Sequence, residues 1–352
     1  MSSNISELIR KVKQKSPLRL LDKEILQSKY EIKDANEVES LKSILQKKTK
    51  YNKKLIKILN ENILNDTITI SDEVIYEDLT DWLIVEESDY FMNNEYLNIS
   101  DNMVTYQVPI DDNGNTTEIF IKEERELLAS HGTTGFRTWE AALLFFYYIT
   151  SINPQMVEKL SKSKKALELG CGTGFLGIFL SKLLVSTKFL LTDGSSLVVE
   201  RCAENLELNN LPKNMVSCEE LLWGHQDDHR IIEKYDFIFG ADITFDSRFI
   251  PLLVETIEDS LADDGICLVS ATIRNKETIQ TLYKSIEKLN LPNENTKKLP
   301  FEWKLERLYE IKDSFCEKGE CLEDRNDFIK KYWFEDLLAD IHIYKIYRNF
   351  DV

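Results

Sequence analysis

The sequence predicts an α/β fold, a doubly wound and mostly parallel sheet with a helical N-terminal region, and three observations carry that reading. From about residue 131, short apolar runs alternate with stretches of helical period, the signature of repeated βα units. A glycine-rich turn, LELGCGTGFLG at 167–177, joins one such run to the next apolar stretch. Between Pro17 and Pro109 there is neither Pro nor Gly, which favours helices over a turn-rich β domain. At 352 residues the chain is long enough for one large domain or two modest ones.

In chain order, the first hundred residues read as helical and then irregular. Leu41, Ile44 and Leu45, then Tyr51, Leu55, Ile58 and Leu59, recur at helical spacing. Lysines 42, 47, 48, 50, 53, 54 and 57 fill the other face, and an acidic stretch over 71–90, expected as a loop, follows. The plain reading is a solvated basic face; the sharper one is a docking surface for a large partner. Around Asn113-Gly114, two strand-like arms predict a hairpin, so 101–130 reads as a connector between 1–100 and a main domain over 131–352. The expected strands are KKALEL (164–169), KFLLT (188–192), Met215 to Cys218, YDFIFGAD (235–242) and ICLVSAT (266–272), with helices between them. Asp263-Asp264-Gly265 reads as the stop of the helix before the last of these. WKLERLYEI and HIYKIYR close the chain as an antiparallel pair at one side of the sheet.

The glycine turn carries the chemistry. Ligands of doubly wound sheets sit at the carboxyl ends of strands, where this loop falls. Read from Gly172, the loop matches the dinucleotide pattern G-x-G-x-x-G, but in the frame that follows the strand directly, from Gly170, the third position is Phe175. No Lys-Ser/Thr follows, so it is not a phosphate-binding P-loop. Glu168, just before the loop, opposes a pyrophosphate and suits a cation. Gly170, Cys171, Gly172 and Gly174 then form the ligand turn, with Gly177 left to helix packing. Asp193 ends the second strand 19 residues after Gly174, placed to accept hydrogen bonds from both hydroxyls of a ribose. An adenosine with a cationic extension, S-adenosylmethionine, satisfies all of these constraints.

ELGCGTG with Asp193 resembles the seven-β-strand (class I) methyltransferases, which implies a seven-stranded, Rossmann-like sheet. TTGFRTWEAALLF (133–145), LLWG (221–224), GAD (240–242) and Asp242-Ile243-Thr244-Phe245 are similar to the protein-lysine methyltransferases of methyltransferase family 16. The TTG…TWEAAL form and the long helical N-terminal region are most similar to the branch acting on elongation factor 2, which implies that protein as substrate. Over about residues 131–290, the resemblance implies that Trp139 covers the cofactor, that Trp223 flanks the adenine and that Ala241 lines the pocket through its backbone. It implies that Asp242 orients a lysine amine against an aromatic wall made by Phe245, where many members have Tyr. Without the resemblance, Trp139 and Trp223 read equally as core residues, and Asp242 with Phe245 as a helix cap beside a packed ring.

Other readings remain. The same cofactor could serve a different protein, a small molecule or an RNA, although the formal charge of −17 and the absence of an aromatic-proline loop after the fourth strand speak against nucleic acid. An NAD-dependent oxidoreductase is opposed by the misplaced third glycine and by Glu168, and a non-catalytic module by the intact loop, Asp193 and Asp242. Six scattered cysteines and no apolar leader are expected of a cytoplasmic protein. The apolar run 141–149 is too short to span a bilayer. Cys316 and Cys321 alone do not make a metal site, and a monomer is expected.

Overall fold

The computed structural model describes residues 3–16, 18–46, 49–92, 103–109, 116–124, 133–225, 233–291, 300–312, 320–329, 332 and 339–350. It divides into two compact units, Met1–Gln107 and Val108–Val352.

The first unit contains the helices α1 (Ile5–Lys13), α2 (Leu18–Ser28), α3 (Ala35–Leu45), α4 (Lys50–Leu64) and α5 (Glu73–Met92). Between them run β1 (Ser3–Asn4), β2 (Tyr30–Ile32) and β3 (Ile68–Ile70), joined in a small parallel sheet. The sheet departs from the all-helical expectation, because strands of two or three residues are too short to show an alternating pattern. The acidic stretch is likewise a helix, α5, which buries Leu79 and Leu83 and leaves its carboxylates mostly in solvent. Side chains of Asp34 and Thr49 cap α3 and α4 by accepting from the free N–H groups of their first turns. Leu8, Ile25, Leu41, Leu55, Ile56 and Leu83 lie in the unit's own core.

The boundary between units falls within β4 (Met103–Pro109), which pairs with β5 (Thr116–Lys122) in a two-stranded sheet; the Asn113-Gly114 turn lies outside the described residues.

In the second unit, α6 (Glu140–Tyr147) continues through a π-helical turn (Tyr148–Ile152) to α7 (Gln155–Leu160). There follow β6 (Lys165–Leu169), α8 (Phe175–Leu183), β7 (Lys188–Asp193), α9 (Ser196–Leu208), β8 (Val216–Glu220), β9 (Tyr235–Ala241), α10 (Ile250–Ser260) and β10 (Leu261–Thr272). The unit ends with α11 (Lys276–Leu289), β11 (Glu302–Ile311), α12 (Glu320–Phe328) and β12 (Ile341–Asn349). Among the described residues the sheet has seven strands in the order β11-β12-β10-β9-β6-β7-β8, with β6 to β10 parallel and β12 antiparallel to both its neighbours. The five expected βα strands are all present. One boundary differs: β10 begins at Leu261, so Asp263-Asp264-Gly265 is a bulge in the strand rather than the stop of the preceding helix. From β6 the chain steps outward to β7 and β8, then returns to β9 on the other side. This reversal opens a crevice at the carboxyl ends of β6, β7 and β9.

Candidate functional site

The glycine loop leaves β6 into that crevice and enters α8. Gly170 and Gly174 hold φ of +67° and +78°, a region costly for side chains. A Cβ on Gly170 would stand 2.6 Å from Ile243 Cγ2 and 3.8 Å from Trp223 Cζ2, and one on Gly174 would stand 2.7 Å from Cys202 Sγ. The loop is thus pressed between the β9 exit, the Trp223 segment and α9. At Gly177 a Cβ would fall 2.4 Å from both Glu168 Oε2 and Leu191 Cδ2, so this glycine lets α8 lie directly on the strands.

Asp193 ends β7 and already works within the fold. Its Oδ2 accepts from Gly172 N at 3.1 Å, and its Oδ1 accepts from Ser195 N at 3.2 Å. Burial raises its pKa and these backbone donors oppose the rise. Glu168 lies deeper, 2% exposed, with Oε2 buried and lacking a hydrogen-bond partner. Burial, and next the Asp193 charge, push its carboxyl well above the usual range. The anionic loop of the sequence reading is therefore a pair of carboxyls whose ionisation the protein interior opposes. Cys171 is buried in the same turn; the Cys202 contact favours its thiolate, but burial and the carboxylates raise it to about 11, leaving an unreactive thiol.

The segment before α6 covers the loop. Gly135 O would lie 3.3 Å from a Cβ on Gly172, and Thr138 Oγ1 meets Thr173 Oγ1 at 2.9 Å. Trp139 follows, only partly buried, its Nε1 donating to Thr134 O at 3.0 Å. The guanidiniums of Arg137 and Arg274 lie over its ring, 5.0 Å and 5.3 Å from the centroid. Trp223 is also partly buried, next to Gly170 at the end of β8.

Ala241 is the last residue of β9, and Asp242 turns the chain out of the sheet with φ +57°. A non-glycine residue held there is a strained position of the kind found at functional sites. Asp242 N donates to Ser270 O at 2.7 Å, its Oδ1 accepts from Thr272 N at 3.3 Å, and Oδ2 pairs with Arg274 at 2.8 Å. Phe245, expected as a wall, is 57% exposed, three residues beyond Asp242. The structure therefore gathers the glycine loop, Asp193, Trp223 and the β9 exit around one crevice. It also places two residues there that the sequence did not single out, Glu140 and Arg274. No local motif marks them, because their pairing joins the start of α6 to the end of β10.

Among the described residues, no group of His, Cys, Asp and Glu is arranged to hold a metal ion, and no helix is long and apolar enough to cross a membrane. Cys316 and lysines 47 and 48 lie outside the described residues. Lys42, from the expected basic face, pairs with Asp78 at 2.6 Å and Glu39 at 3.6 Å.

A seven-stranded sheet with one antiparallel strand, a glycine loop after β6 and an acid at the end of β7 define a class I methyltransferase fold. Residues 115–289 match the family described as lysine methyltransferase. The chain is 40% identical over 189 residues to "Protein-lysine N-methyltransferase EFM3" of Chaetomium thermophilum, covering 51% of this chain and 54% of that protein. It is 35% identical over 188 residues to the protein of the same name from Saccharomyces cerevisiae, covering 49% and 55%. To "EEF1A lysine methyltransferase 3" of Mus musculus it is 29% identical over 150 residues, covering 43% and 61%. The chain spans about half the length of these curated relatives.

Proposed function

We propose that this chain is an S-adenosylmethionine-dependent protein-lysine N-methyltransferase that acts on elongation factor 2, as a monomer in the cytoplasm. The observation that carries the reading is the strained Asp242 carboxylate beside the glycine loop, within a segment that matches the lysine methyltransferase family. The cofactor's fit rests on the loop: backbone too close to Ile243 and Cys202 for side chains, with the unpartnered Glu168 Oε2 beneath it. When bound, S-adenosylmethionine supplies the methyl group. Asp193 would hold the ribose, Gly170, Cys171, Gly172 and Gly174 would follow the cofactor with their backbone, Trp223 would flank the adenine and Trp139 would cover it. A cation above Glu168 and Asp193 favours their ionised forms, so a sulfonium and ammonium suit this site better than a pyrophosphate.

On the substrate side, Asp242 accepts the lysine amine and orients it. A free lysine must lose a proton before it attacks, which costs about 4.6 kcal/mol at pH 7. The substrate protein lowers this by closing over the exposed Phe245 ring and excluding water. Cys171, Cys202, Cys218 and Cys267 are free thiols, in keeping with a reducing compartment. Elongation factor 2 is favoured by the TTG…TWEAAL form and the long N-terminal unit. A second reading, elongation factor 1A, is favoured by the name of the mouse relative.

Radiolabelled methyl transfer to each purified factor separates the two. Label in a lysine of elongation factor 2 supports the first reading, and label in elongation factor 1A alone replaces it. Label in RNA, or thermal protection by NAD and not by S-adenosylmethionine, overturns the proposal. Asp242→Asn keeps a residue that tolerates positive φ and is expected to lower turnover at least a hundredfold while leaving cofactor affinity within threefold, as read by calorimetry. Equal loss of both would make Asp242 a residue of the fold.

A further inference from the structure

Glu140 sits at the start of α6 with its side chain largely buried. Its Oε1 accepts from Arg274 Nη2 at 3.0 Å, and Thr272 Oγ1 lies 3.4 Å away. The other arm of the same guanidinium, Nη1, reaches Asp242 Oδ2 at 2.8 Å. The Arg274 plane also lies over Trp139, 5.3 Å from the ring centroid. One planar fork therefore spans two carboxylates from different elements. Thr272 braces both, its amide toward Asp242 and its hydroxyl toward Glu140. This geometry is specific to arginine: a lysine ammonium is a point charge and cannot hold two acids in a fixed relative orientation.

We propose that Arg274 and Glu140 are positioning residues of this site: Arg274 ties Asp242 to Glu140 and fixes the carboxylate that receives the substrate amine. The inference rests on the proposed lysine methyl transfer. Arg274 acts through Asp242 and need not touch the substrate.

The groups facing Glu140 are Asp242 from the β9 exit, Arg274 from the end of β10 and Arg137 from the segment before α6. Burial is the largest influence raising the Glu140 carboxyl, followed by the Asp242 charge, while Arg274 and Arg137 pull it down. Without Arg274 the carboxyl titrates higher still. Protonation then removes a negative charge beside the Asp242 carboxylate that receives the amine.

The test compares wild type, Arg274→Met and Arg274→Lys in the full-length chain. Selective ¹³C-glutamate labelling follows the Glu140 carboxyl, assigned with Glu140→Gln, and the pH profile of kcat/KM is measured with elongation factor 2. Arg274→Met is expected to raise the Glu140 titration and carry the acid limb of kcat/KM the same way, while the lost fork keeps kcat/KM at high pH down at the level of Arg274→Lys. Arg274→Lys is expected to restore the titration but only part of kcat/KM, because charge returns without the fork. An unchanged Glu140 titration in Arg274→Met overturns the inference whatever the activity. Full wild-type kcat/KM in Arg274→Lys, or a loss in Arg274→Met that vanishes at high pH, overturns the positioning role. Shifted titration in a wild type that methylates no tested protein overturns the functional reading and leaves the electrostatic bridge standing.

Discussion

At the scale of the residue, Glu168 shows how burial changes a chemical role. As a letter before a glycine loop it is an anion beneath a cation. In the fold it is 2% exposed with an unpartnered oxygen, and its carboxyl is pushed well above the usual range by burial and then by Asp193. The consequence for stability has a definite sign. Between the unfolded and the folded pKa the native state binds more protons than the unfolded chain, so stability falls as pH rises through that window. Its contribution is fully present below the unfolded value, near ~4.3, and declines above it. Glu168→Gln removes this dependence. The melting temperature of the variant should therefore gain on wild type as pH is raised above ~4.3, and a gap that stays constant would show that Glu168 is ionised at no cost. The variant should also weaken S-adenosylmethionine binding relative to wild type, since an amide offers the sulfonium no charge. The glycines beside it were legible for a simpler reason. Backbone requirements such as the +78° φ at Gly174 are written in residue type alone, whereas the protonation of Glu168 depends on neighbours far along the chain.

At the scale of the element, the βα succession was readable because each buried strand is a short apolar run bounded by polar turns. The strands of the first unit were not, since two or three residues carry no periodicity. A third case lies between. β5 is held to α9 by amide side chains that stand in for a neighbouring strand. Asn209 accepts from Phe120 N at 3.0 Å and donates to Phe120 O at 2.7 Å, and Asn205 accepts from Lys122 N at 2.8 Å. The Asn205 amide also donates to Thr173 O at 2.8 Å, inside the glycine loop. One side chain thus ties β5, α9 and the candidate cofactor turn together while fully buried. Nothing in the local sequence distinguishes it from a solvent-facing helical asparagine. Asn205→Leu keeps the volume but strands a buried N–H and a carbonyl, each without a partner, and should cost about 3 kcal/mol in denaturant unfolding. It should also loosen cofactor binding, because Thr173 loses its anchor. A loss below 1 kcal/mol would mean that water replaces the amide.

At the scale of the whole molecule, the two units have separate hydrophobic cores. Leu8, Leu41, Leu55 and Leu83 belong to one, and Leu167, Ile238, Val269 and Ile346 to the other. The boundary falls at Gln107, within β4, where the helices of the first unit have ended. Cores built from different stretches of chain unfold as separate cooperative units unless a large apolar interface couples them. Calorimetry should therefore resolve two transitions. S-adenosylmethionine should raise only one of them, by mass action on the unit that carries the glycine loop. Leu41→Ala, which empties a buried site in the first unit, should lower the other transition by about 2–5 kcal/mol and leave cofactor affinity unchanged. This variant also separates the N-terminal unit's part in substrate handling from the chemistry. If the unit presents the protein substrate, Leu41→Ala near its unfolding temperature should raise KM for elongation factor 2 while kcat at saturation persists. A single transition that moves as one under both ligand and mutation would instead make the chain one cooperative body, with the N-terminal helices stabilising the crevice itself.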